Sequence, residues 1–259
     1  MKAQNISNRI VSPLAITLLC GLSFSTSAAP IYWTDWTTSS NTQAGFEGNG
    51  TITTGTSTVD VTYTNPQGVG FFQSSGGTDF WQNSGGGRDP LTSPYTSTAV
   101  DNIPAGTDIV GLRYAGNQTL TFSETIANPV FSYVSLNGNG YSFDQDFEIL
   151  SFGNPSDGNS CGYWGCGTSY KNIVDLGGGV FEYQLLGTGE PHGTIQFTGA
   201  FDTVSWNSLS NEFWNGFTVG IQGTEEEVFG NGTVPEPAPL ALLTLGLLSL
   251  GYCRKRKSA

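Results

Sequence analysis

Thr58-Val59-Asp60-Val61-Thr62-Tyr63-Thr64-Asn65 is the stretch that decides the fold class of this 259-residue chain. Its apolar residues fall on every second position, the period of an extended strand whose successive side chains point to opposite faces, and Val, Thr and Tyr all suit a pleated, half-buried surface. The same period recurs at Val110, Leu112 and Tyr114, at Leu120 and Phe122, and at Phe143, Phe147 and Ile149. It returns at Phe181, Tyr183 and Leu185 and at Ile195 and Phe197. Turn signals separate these runs: Asn65-Pro66, Asn137-Gly138-Asn139-Gly140, Gly153-Asn154-Pro155 and Gly177-Gly178-Gly179. Glycine there supplies positive φ and proline removes a ladder donor. No stretch of the body carries a capped apolar stripe at the helical period.

About a dozen short strands in one domain predict an all-β body, an antiparallel β-sandwich of jelly-roll or concanavalin-like type. No internal repeat is visible, which disfavours solenoids and a repetitive Thr face. The segment Ser74 to Thr98 is dense in Gly, Ser, Thr and Pro with Phe80 and Trp81 embedded, and reads as a long functional or mobile loop. Only 12% of residues are charged and 36 are Gly, a poor composition for coiled coils or helix-rich folds. A net charge of -12 repels phosphate backbones and excludes nucleic acid as a partner.

The bases are concentrated at the ends. Lys2 and Arg9 precede an apolar run from Ile10 to Phe24 and the small residues Ser25 to Ala29. That is the layout of a secretory signal peptide over 1-28, handled by export machinery and a signal peptidase. At the other end, Val234-Pro235-Glu236-Pro237 is followed by an almost wholly apolar stretch to Cys253 and by Arg254-Lys255-Arg256-Lys257. Prolines end the folded body, the apolar stretch forms a short transmembrane helix, and the bases stop transfer on the cytoplasmic side. Ala238 to Cys253 gives 16 residues, about 24 Å of helix against a hydrocarbon core of ~30 Å, which suits a transient anchor.

These three parts, in this order, closely resemble the PEP-CTERM sorting signal of exosortase-processed bacterial proteins. The resemblance covers residues 234-259 and implies export, transient retention in the inner membrane, cleavage near Glu236 by an exosortase-like enzyme, and delivery to the cell surface or extracellular matrix. The body between the two signals is 29-233. Residues 29 to 235 number 207 and carry three bases against 20 acids, a charge of -17.

Cys161 and Cys166 are the two cysteines of the body and predict a small structural disulfide in an oxidising compartment. Gly158-Asn159-Ser160-Cys161-Gly162 matches a nucleophile elbow in letters, yet lacks the flanking strand and helix, and His192 is the only His. Asp144-Gln145-Asp146-Phe147-Glu148, if extended, places three acids on one face. That pattern is similar to the catalytic strand of laminarinase-type glycoside hydrolases, with Asp144 and Glu148 as the carboxylate pair, and offers Ca²⁺ a candidate site at Asp144, Asp146 and Glu148. A solvated outer face is the plain reading of the same residues. Of six Trp, Trp81 and Trp164 lie in Gly-rich segments and are the candidates for stacking on sugar rings, while Trp206 and Trp214 are assigned to the core.

The expectation is therefore a non-enzymatic, exported surface or matrix protein whose body binds polysaccharide and requires no cofactor. A concanavalin-like glycoside hydrolase, degenerate or active, and a purely structural self-associating protein stand beside it.

Overall fold

The structure, a computed structural model, describes residues 30–230, so the signal peptide expected over 1–28 and the sorting segment over 234–259 lie outside the described residues. The strands run β1 (Tyr32–Trp33), β2 (Asp35–Thr42), β3 (Gly45–Thr53), β4 (Thr58–Asn65), β5 (Phe71–Gln73), β6 (Ile109–Leu112), β7 (Gly116–Ala127) and β8 (Val130–Val134). They continue with β9 (Tyr141–Phe143), β10 (Phe147–Phe152), β11 (Gly167–Gly177), β12 (Val180–Gly189), β13 (Gly193–Phe197), β14 (Ala200–Ser208), β15 (Asn215–Ile221) and β16 (Gly223–Thr224). One short helix follows, α1 (Glu225–Phe229), with a Thr224/Glu227 capping box.

Two antiparallel sheets face each other, as an all-β sandwich requires. The nine-stranded sheet has the order β11-β12-β9-β14-β7-β4-β3-β2 with β16 on β7, and the seven-stranded sheet β10-β13-β8-β15-β6-β5 with β1 on β15. The deciding stretch, β4, lies between β3 and β7 and buries Val59, Val61 and Tyr63 while Thr58, Asp60 and Thr64 stay exposed. Their partners inside include Trp36, Ile52, Leu120, Phe131, Trp206 and Phe217. Phe131 and Phe217, cross-strand neighbours on the facing sheet, stack with centroids 4.7 Å apart. The Trp206 indole N–H is buried with no partner among the described residues, but a chain of paired polar groups runs through the same core. Tyr63 donates to Gln118 at 2.5 Å, and Gln118 donates to Ser208 at 2.5 Å.

The two sheets differ in how they meet water. In the nine-stranded sheet β4 and β7 turn mainly Thr, Ser, Asn and Asp outward, whereas β6, β8 and β15 are buried at every residue. The cover on their second face is the segment read from sequence as a long loop. Trp81 and Tyr95 pack on Ile109 and Val134, and Val100 joins Ile31, Trp33 and Val130. The segment has no regular structure, but it is tied down. The Trp81 indole donates to the Asp108 carbonyl at 3.1 Å, and Arg88 clasps Asp79 through Nε at 2.7 Å and Nη2 at 2.9 Å. Burial pushes the Asp79 carboxyl up, but Arg88 outweighs it and holds the group below its ordinary value.

One expected strand is two. Phe143 ends β9 in the nine-stranded sheet and Phe147 begins β10 in the seven-stranded one, so the chain crosses between layers at Asp144-Gln145-Asp146. The period-two spacing survives because both rings enter the same core, 5.5 Å apart.

Candidate functional site

Cys161 and Cys166 are disulfide-bonded, and the loop they close is pinched further by an antiparallel bridge between Gly162 and Gly165. Its base rests on His192. A Cβ at Gly162 would lie 2.3 Å from that ring, so only glycine allows the approach. The main chain of Cys161 accepts from the Ser84 N–H at 2.8 Å, which joins the loop to the covering segment.

At the tip, Trp164 is 52% exposed. It is backed by rings on three elements. Tyr163 meets it edge-on at 4.9 Å and Trp214 at 6.2 Å. Phe80 in turn touches Tyr163 at 5.2 Å and Trp214 at 4.8 Å, and Phe71 closes on Trp214 at 5.2 Å. An indole held this way keeps its orientation without being buried, which is what stacking on a sugar ring demands.

The second expected sugar contact is corrected. Trp81 is fully buried with its indole nitrogen already bonded, because the covering segment needs an apolar plug over Ile109 and Val134. Trp206 is in the core as expected, and Trp214, half-buried, packs against the Trp81 cluster and also supports Trp164. Tyr163 and Trp214 were not singled out from sequence for this cluster. The one signal for Tyr163 was its place inside the same Cys-closed loop, and nothing local marked Trp214.

The acidic run does not assemble the expected site. Asp144 and Asp146 lie in the crossing between sheets and Glu148 on β10, so the three acids do not share one strand face. Lys171 of β11 meets Asp146 at 2.8 Å and Glu148 at 3.6 Å and also donates to the Phe147 carbonyl at 2.8 Å. Burial pushes the lysine down, but the two carboxylates outweigh it and raise its affinity for the proton. A cation thus pairs with two of the three acids expected to hold Ca²⁺, one of them Glu148 of the expected carboxylate pair. Among the described residues no group of three or more His, Cys, Asp or Glu is arranged to hold a metal ion. His192 is buried, 3.3 Å from the Tyr95 hydroxyl, and burial pushes it down to about 3, so it stays neutral beneath Gly162.

Among the described residues no helix is long and apolar enough to cross a membrane. No curated protein and no solved structure matches the chain. A family match does exist for the tail, over residues 233–257, spanning the Val234-Pro235-Glu236-Pro237 motif and the bases from Arg254 to Lys257. The chain carries the PEP-CTERM protein-sorting motif, the signature of proteins exported and sorted to the cell surface by an exosortase-like system.

Proposed function

We propose that this sorted surface protein is retained briefly in the inner membrane by Ala238 to Cys253, is cut near Glu236, and then holds extracellular polysaccharide as a binding body, not a catalyst. The observation that carries the binding half is Trp164, half-exposed on a disulfide-closed loop and backed by Tyr163 and Trp214. The cost of ordering a contact side chain falls when it is already fixed, so a single preset indole contributes more than a flexible one. A body charge of -17 favours glycans that are not themselves strongly anionic.

Affinity electrophoresis of the surface form through gels containing a neutral β-glucan tests the binding half. Retardation is expected, weakened about tenfold or more by Trp164→Ala. Mobility identical with and without glycan refutes it. Intact-mass analysis of the same material tests processing: loss of the N-terminal peptide and of the tail from near Glu236 is expected, and retention of Arg254 to Lys257 in the surface form overturns it.

A further inference from the structure

The outer face of the nine-stranded sheet holds a groove of about 430 Å³, on the side of the sandwich away from Trp164. Its floor is set by strand parity. Gln118, Val204 and Trp206 point into the core, so Asn117 and Thr119 of β7 and Ser205 and Asn207 of β14 point out. Register places Asn117 opposite Asn207 and Asn207 opposite Ser142 of β9, giving one row of amide, amide and hydroxyl. The side-chain amides of Asn117 and Asn207 make no hydrogen bond within the described residues. Each presents a donor and an acceptor to whatever enters.

One wall of the groove is apolar. The β11–β12 hairpin pairs with β9 only through Tyr183, Gln184 and Leu185, so its tip stands free of the sheet. There Leu176, Val180 and Phe181 are 60%, 58% and 42% exposed beside the polar floor. The charges are of one sign, Asp144 and Glu182, and among the described residues no Lys or Arg lines the groove.

We propose that this groove is a second glycan site, specific for an uncharged polysaccharide chain. The amides and hydroxyls pair with sugar hydroxyls, the apolar wall takes the C–H face of a pyranose ring, and the two carboxylates reject uronate, sulfate or phosphate polymers. The groove stands on its own geometry. Its consequence, that one molecule bridges two strands from opposite faces, rests also on the Trp164 reading, and two linked sites multiply avidity for a matrix.

Calorimetric titration of the surface form, purified from cells expressing the full chain, with a soluble neutral β-glucan and with polygalacturonate decides the matter. Two sites for the neutral glucan are expected and none for polygalacturonate. Asn117→Ala/Asn207→Ala removes two hydrogen-bonding groups and weakens the groove site about tenfold. Val180→Ser, at an exposed position on the outward side of β12, weakens it without touching the core, so the test survives if the Asn variant misfolds. A single site, abolished by Trp164→Ala and indifferent to both groove variants, overturns the groove and leaves Trp164 standing. A single site lost in the groove variants and kept in Trp164→Ala does the reverse. Equal binding of polygalacturonate overturns the groove's specificity, and absence of any binding overturns both sites.

Discussion

Raising the pH destabilises this fold through Glu212. Its carboxylate sits between β6 and β15: the backbone N–H donates to the Arg113 carbonyl at 3.0 Å, and Asn215 Nδ2 donates to Oε2 at 2.7 Å. Oε1 is buried without a hydrogen-bond partner among the described residues, so a charge on it would go unsolvated. Burial is the main cause of the shift, the neighbouring Glu190 carboxylate adds to it, and together they push Glu212 from 4.5 to about 8 against the opposing bond from Asn215. Below pH 4.5 the group is protonated folded or unfolded and contributes nothing to the pH dependence. As pH rises toward 8 the unfolded chain gives up the proton while the folded one keeps it, so the unfolded state binds fewer protons and stability falls; above that it levels off.

At about 1.4 kcal/mol per pKa unit the ceiling is ~5 kcal/mol. Water reaches part of this side chain, and screening brings the figure to about 2 kcal/mol. For a body of this size that is a fall in Tm of about 4–8 °C. Glu212→Gln keeps an acceptor for Asn215 and loses the titration, so its melting temperature should overtake the wild type's progressively from pH 5 to pH 9. Asp108, which burial pushes up to about 6, tilts both proteins in the same direction, so the difference between the two melting profiles is the quantity to read. Parallel profiles, recorded by calorimetry with the disulfide intact, refute the reasoning.

Two further substitutions test the cover over the seven-stranded sheet and the seat of the disulfide loop. Trp81→Ala should cost about 3–5 kcal/mol in urea unfolding, as a fully buried indole is removed; a loss under 1 kcal/mol shows that the segment is only draped over the sheet. Gly162→Ala drives a methyl to 2.3 Å from the His192 ring and should cost about 1–3 kcal/mol while red-shifting or broadening Trp164 fluorescence as the loop lifts. A variant as stable as the wild type, with unchanged emission, shows that the loop has slack.

What could be read from the residues follows from which surfaces face water. β4, β12 and β13 alternate visibly because, within each, one face meets core and the other meets something more polar, and the alternation is the record of that contrast. β8 carries little such contrast, since Val130 and Val134 are buried on its second face as Phe131 and Tyr133 are on the first, and a strand buried on both sides reads as a nearly continuous apolar run. The cover over that second face explains the error over Trp81: Gly, Ser, Thr and Pro describe a segment without regular backbone, but say nothing of whether a sheet lies beneath it. The acidic run fails for another reason. In a sandwich both inner faces look into one core, so a chain that changes sheets between Phe143 and Phe147 keeps strand parity, and alternation alone cannot reveal the corner. Lys171, 23 residues beyond Glu148, reaches that corner only because β11 forms the neighbouring edge. The groove obeys the same logic in reverse: Asn117, Asn207 and Ser142 are unremarkable polar residues far apart in the chain, and only cross-strand register turns them into one row. The sorting motif was legible because its function depends on contiguous residues read by another enzyme, whereas a binding face depends on which strands become neighbours.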